Sequence, residues 1–132
     1  MEKEKIDTSR KYVLIVEDDS FLRSLITQKF TQEGFEVFGA VTGKEGIEKI
    51  NDRMPDIILL DILLPDINGF DVLAYVKKDE MLRDIPVLII SNLSDQEDLE
   101  RAQKLGAKEF LIKANISTTE IVNKVRETLA GK

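Results

Sequence analysis

The chain predicts a single α/β domain whose five parallel strands form an open, doubly wound sheet with helices on both faces. Five short apolar runs alternate with five stretches of helical periodicity, the pattern of repeated strand-helix units. Three of the runs, within YVLIV, DIILLD and VLIIS, are continuously apolar, as strands buried on both faces must be. The 132 residues suffice for one core of ordinary size. A closed barrel of eight such units needs roughly 200 residues or more, so the sheet is open.

Each element has its own local warrant. Tyr12 to Val16 reads as the first strand, and the helix after it places Phe21, Leu22, Leu25, Ile26 and Phe30 on one apolar stripe that stops at Gly34. EVFGAV reads as the second strand, with Gly39 a weak point inside it. Thr42 and Glu45 have the spacing of a capping box and open a helix reaching about Arg53. DIILLD holds the third strand, and Gly69 to Lys78 the third helix. VLIIS after Pro86 is the fourth strand, and Ser94 with Glu97 forms a second capping box for a helix ending near Gly106. EFLIK is the fifth strand, and Ser117 with Glu120 caps a last helix whose inner face carries Ile121, Val122, Val125 and Leu129.

Composition narrows the chemistry. With no cysteine and no histidine, thiolate nucleophiles, imidazole bases and zinc sites built on either are excluded. The net charge of -6, with lysines and arginines scattered among acids, argues against direct nucleic-acid binding. The first ten residues, MEKEKIDTSR, are almost all polar and no run of eighteen apolar residues occurs. Neither a secretory signal nor membrane insertion is therefore expected, and the expected location is cytoplasmic. Residues 1–10 read as a mobile polar extension and residues 11–130 as the domain, with no output domain attached.

Ligands of open α/β sheets bind beyond the carboxyl ends of the strands. Those ends carry Glu17, Asp18 and Asp19 after the first strand, Asp61 after the third, Ser91 at the fourth and Lys113 after the fifth. If the first and third strands are neighbours, Glu17, Asp18 and Asp61 crowd together. Two unit charges ~4 Å apart repel by about 4 kcal/mol at an effective dielectric near 20, so the cluster calls for a cation. Hard oxygen donors favour Mg²⁺ or Mn²⁺, which a substrate phosphate typically completes. Metal, hydroxyl and ammonium together point to phosphoryl transfer, with Asp61 as the attacking group. Taken singly, Asp19 or Ser20 reads as a helix cap, Ser91 as a turn residue and Lys113 as a surface lysine; their placement at successive strand ends favours the joint site.

IVEDDSFLR, LLDILLPDINGF, LIISN and FLIK, at this spacing, resemble the receiver domain of two-component response regulators over about residues 11–130. The resemblance implies the flavodoxin-like strand order 2-1-3-4-5. It implies Asp61 as phosphoacceptor, Asp18 as a direct Mg²⁺ ligand, Glu17 as its acidic partner through water, and the Leu63 carbonyl as a further ligand. Ser91 becomes the switch hydroxyl, Lys113 the basic partner of the phosphoryl group and Phe110 the aromatic switch. A stand-alone, chemotaxis-regulator-like switch is the expectation. It would be phosphorylated by a histidine kinase or phosphotransfer protein and signal to a downstream protein through the fourth helix, fifth strand and fifth helix. It is not an enzyme in the ordinary sense, although it would catalyse its own phosphorylation and slow dephosphorylation. A pseudo-receiver scaffold working without phosphorylation is the alternative. A flavodoxin-like cofactor carrier fits poorly, because EDDS would repel a phosphate. Two positions depart from the family pattern. Asn68 stands where an acid is commoner, and Ala114 follows Lys113 where the family has a cis proline. A non-proline cis bond costs ~2.5 to 4 kcal/mol, so a trans peptide and a rearranged loop are expected.

Overall fold

The computed structural model describes residues 10–93 and 95–131; most of the expected N-terminal extension lies outside them. The elements alternate along the chain: β1 (Tyr12–Val16), α1 (Ser20–Gln32), β2 (Glu36–Ala40), α2 (Gly43–Asp52), β3 (Ile57–Leu60), α3 (Gly69–Lys78), β4 (Val87–Ser91), α4 (Gln96–Lys104), β5 (Glu109–Ile112) and α5 (Thr118–Gly131), with a 3-10 turn at Lys113–Asn115. All strand pairs are parallel, in the order β2-β1-β3-β4-β5. The expected fold and strand order are both present.

Period-two alternation splits the sheet's side chains between two cores. Leu14, Val16, Ile58, Leu60, Val87 and Ile89 face Ile50 of α2, Val72, Leu73 and Val76 of α3 and Ala102 of α4. Val13, Ile15, Ile57, Leu59, Leu88 and Ile90 face Ile26 and Phe30 of α1 and Ile121, Val122 and Val125 of α5. Strands buried on both sides in this way cannot show polar residues until they end. The first polar side chains therefore appear together at the carboxyl edge.

The α1 stripe is narrower than expected. Leu22, Ile26 and Phe30 pack toward the second core, but Phe21 is 72% and Leu25 40% exposed. At ~100° per residue the first three fall within about 80° of one another, and Phe21 and Leu25 lie on the flank of that arc. Gly34 (φ 94°) and Gly106 (φ 102°) follow α1 and α4 in the left-handed conformation that glycine adopts without penalty.

The caps are largely as expected. Asp19 accepts the Phe21 and Leu22 N–H groups, and the Ser117–Glu120 box closes with both reciprocal bonds. In the Thr42–Glu45 pair the Glu45 N–H donates to Thr42 Oγ1, but the Glu45 carboxylate accepts from Val41 rather than from Thr42 itself. The start of α4 differs: Asp95 occupies the N-cap position and makes no side-chain cap bond, while Ser94, the expected cap, lies outside the described residues. Asn68 caps α3 by accepting the Asp71 N–H at 3.2 Å, a task that an amide oxygen does as well as a carboxylate.

Gly69 is the most constrained glycine of the fold. A Cβ there would run into the Asp61 carbonyl and lie 2.7 Å from Ile62 Cα, because the Gly69 N–H donates to the Ile62 carbonyl at 2.7 Å and draws the two backbones together. Gly69→Ala should cost about 3 kcal/mol or more in urea unfolding, since backbone cannot yield as a side chain does. Gly131→Ala, with nothing among the described residues within 4 Å, should stay within about 1 kcal/mol of wild type.

Candidate functional site

The register of the two central strands builds the site. Val16 pairs with Leu60, so the next residues, Glu17 and Asp61, leave the sheet side by side where the winding reverses. Glu17, Asp61 and Ser91 are buried polar residues at this edge, with 3%, 3% and 0% of their surface exposed, whereas Asp18 is exposed. One carboxylate oxygen from each of Glu17, Asp18 and Asp61 lies within 4.8 Å of the others. This donor set suits a hard divalent cation.

Lys113 reaches into the cluster from the end of β5. Its Nζ donates to Glu17 Oε1 at 2.8 Å and to Asp61 Oδ2 at 2.9 Å. Burial works against the ammonium charge, but the bonds it donates to Glu17 and Asp61 outweigh it and hold the Lys113 pKa above its ordinary value. Burial pushes the Glu17 carboxyl up in spite of Lys113 and of the Asp19 N–H donating to its Oε2 at 3.0 Å. The other Asp61 oxygen, Oδ1, accepts from Ile62 at 2.7 Å and more weakly from Leu63 at 3.4 Å. Backbone and ammonium thus fix the orientation of the Asp61 carboxylate.

The remaining expected residues stand close by. Ser91 ends β4, next to β3, and its Oγ accepts a long 3.4 Å bond from the Leu93 N–H. Leu63 lies in the β3–α3 loop and is 59% exposed, and among the described residues no N–H donates to its carbonyl. Phe110 lies deeper in the sheet. It pairs with Ile89 while Ser91 pairs with Ile112, so ring and hydroxyl share a face two residues apart. Phe110 is half-buried, packs against the first core and lines a cleft of about 260 Å³ with Leu99, Ala102 and Gln103 of α4. The Lys113–Ala114 peptide is trans, in line with expectation, and begins the 3-10 turn.

Two residues that the sequence did not single out hold the loops of this edge. Asn92 Oδ1 accepts the Ala114 N–H at 3.1 Å, tying the loop after Ser91 to the turn that carries Lys113. Asp66 accepts the Gly43 N–H at 2.8 Å and the Lys44 N–H at 2.9 Å, so the β3–α3 loop is latched to the N-terminus of α2. Ile67 reinforces the latch, lying 2.5 Å from where a Gly43 Cβ would be. The Pro65-Asp66 turn signal was available in the sequence, but the partner 23 residues away was not.

An acidic, lysine-bridged cluster thus stands at the switch point of a five-stranded parallel α/β sheet. The model of the response regulator receiver domain matches residues 13–126, and the chain belongs to that family, the receivers of two-component signalling. It is 36% identical over 104 residues to the chemotaxis protein CheY of Thermotoga maritima, covering 78% of this chain and 85% of that one. It is 30% identical over 117 residues to the phosphate regulon transcriptional regulatory protein PhoB of Escherichia coli K12, covering 89% of this chain. The chain spans about half the length of such transcriptional regulators, 51% for PhoB. Among solved structures, the CheY-like receiver domain protein of Methanospirillum hungatei superposes with a TM-score of 0.86 at 28% identity, over 92% of this chain and 94% of that one. Among the described residues no helix is long and apolar enough to cross a membrane.

The Asp66 latch has a pH signature. Slight burial opposes ionisation, but the N–H groups of Lys44 and Gly43 outweigh it and hold the Asp66 carboxyl down to about 2, against an ordinary 3.8. Because the folded pKa is the lower one, the unfolded chain takes up the proton first, and the latch's stabilisation is lost as pH falls from 3.8 toward 2. The urea midpoint of wild type should exceed that of Asp66→Ala by a constant margin from pH 5 to 7, and the margin should shrink toward pH 2.

Proposed function

We propose that the chain is a phosphorylation-dependent switch in which Asp61 accepts a phosphoryl group from the phosphohistidine of a histidine kinase or phosphotransfer protein. The observation that carries the reading is the Asp61 carboxylate, buried, oriented through both oxygens and set beside two further acids and one ammonium. These 132 residues contain no histidine, so the donor imidazole lies outside them.

In the proposed reaction a carboxylate oxygen of Asp61 attacks phosphorus. A P–O bond forms, the donor's P–N bond breaks, and the electron pair leaves with the imidazole, which takes a proton. Glu17, Asp18 and Asp61, with the Leu63 carbonyl, would hold Mg²⁺, or Mn²⁺ in its place. Bound there, the ion supplies neutralisation of the phosphoryl oxygens and of the crowded carboxylates. Lys113 would trade its bond to Asp61 for one to the phosphoryl group, and the buried Ser91 hydroxyl, which among the described residues makes a single long bond, would turn toward it. Movement of Ser91 would shift the packing of Phe110 on the same face, which borders α4. The downstream protein is therefore assigned to the α4–β5–α5 face. Direct contact with nucleic acid is not part of this reading, and its place is the cytoplasm.

The scaffold alternative and this reading part at one measurement. Incubation with acetyl phosphate and Mg²⁺ should add one phosphoryl group, read by intact mass. Asp61→Asn should slow labelling at least about a hundredfold, ~2.7 kcal/mol in the barrier, because the nucleophile is gone. Undiminished labelling of Asp61→Asn would move the acceptor elsewhere, and an unlabelled wild type would favour the scaffold.

A further inference from the structure

The strand ladder leaves one acceptor over at the site's edge. The Glu36 N–H donates to the Lys11 carbonyl and the Glu17 N–H to the Ala40 carbonyl, both at 2.9 Å, so a continued ladder would bring the Thr42 N–H to the Glu17 carbonyl. The ladder does not continue: β2 ends at Ala40, and among the described residues the Thr42 N–H makes no bond to the Glu17 carbonyl. The Glu17 carbonyl is taken instead by Arg23 of α1, whose Nη1 donates to it at 2.8 Å.

Arg23 reaches that carbonyl by lying flat over Gly39. A Cβ on Gly39 would come 3.0 Å from Arg23 Cδ and 3.5 Å from both Cγ and Nε. The glycine that looked like a flaw in β2 is the groove through which the arginine passes. Arg23 makes no ion pair within 4 Å among the described residues, so its contact is with the backbone of Glu17 and not with a carboxylate.

We infer that Arg23, seated on Gly39, is a positioning residue for the cation site: by fixing the Glu17 peptide it sets the direction in which the Glu17 and Asp18 carboxylates are presented. The inference rests on the reading of Glu17, Asp18 and Asp61 as that site. Charge alone predicts the reverse outcome, since a nearby guanidinium repels a cation; the two are separated by a substitution that keeps the charge. Lysine does so, but its ammonium ends one atom short of Nη1 and lacks the planar fork.

Mg²⁺ titration by calorimetry, with melting temperature measured alongside, tests the inference. Arg23→Lys should bind Mg²⁺ about tenfold more weakly, the low end for residues that orient metal ligands. Gly39→Ala, which keeps every polar group and displaces the arginine, should weaken binding in the same direction, and the double variant should be no worse than the weaker single. Arg126→Ala, which removes a bond to Glu33 at 2.8 Å between α5 and α1, should leave Mg²⁺ affinity unchanged. Affinity of Arg23→Lys within about twofold of wild type, or tighter, would overturn the positioning role, as would equal weakening in Arg126→Ala. A wild type that binds no Mg²⁺ would overturn the cation reading itself, and the role of Arg23 with it.

Discussion

The bridge from the Lys113 ammonium to Glu17 and Asp61, at 2.8 and 2.9 Å, is the interaction on which the rest of the site depends. Two of the three clustered carboxylates are almost wholly buried, and like charges so placed cannot all remain ionised without a counter-charge. Lys113 provides one positive charge for that cluster. The balance left over is negative, which is what gives a divalent cation or a proton its place, and burial accordingly pushes the Glu17 carboxyl upward. A site left in this condition is poised to respond to charge.

Everything that brings the bridge together is a consequence of the parallel sheet. Strands buried on both faces postpone their polar residues to the carboxyl edge, and the reversal of winding between β1 and β3 sets Glu17 beside Asp61. The loops that follow are then secured sideways rather than from within. Asp66 pins the β3–α3 loop to α2, Asn92 pins the β4–α4 loop to the turn after Lys113, and Arg23 pins the end of β1 from α1. Rigid strand ends with laterally tied loops suit a group that must be aimed, because tenths of an ångström in an oxygen position decide whether it coordinates.

The fold could be read from the sequence because its signals are local. Continuous apolar runs marked β1 and β3 to the residue and β4 up to its closing serine, and Gly69 and Lys78 bounded α3. The acid, hydroxyl and lysine at the strand ends could be read for the same reason, each standing directly after an apolar run. Phe21 and Leu25 misled because apolar identity was counted without the angular width of the stripe. Asp66, Asn92 and Arg23 were missed for a different reason. Their partners lie in other loops or are backbone groups freed by the end of a strand, and neither is visible before the winding is known. Gly39 shows the point most clearly: a glycine that weakens a strand by local rules is explained by an arginine sixteen positions earlier.

The cluster calls for positive charge, and in the proposed site Lys113 and a divalent cation share that task. Urea unfolding of wild type and Lys113→Ala, each with and without Mg²⁺, measures it directly. Without Mg²⁺ the variant should be less stable by at least about 1 kcal/mol, below the 3 to 5 typical of fully buried pairs because Lys113 still reaches solvent. Mg²⁺ should then stabilise the variant more than it stabilises wild type, narrowing the gap. A gap of the same size with and without Mg²⁺, or no gap at all, would contradict the account.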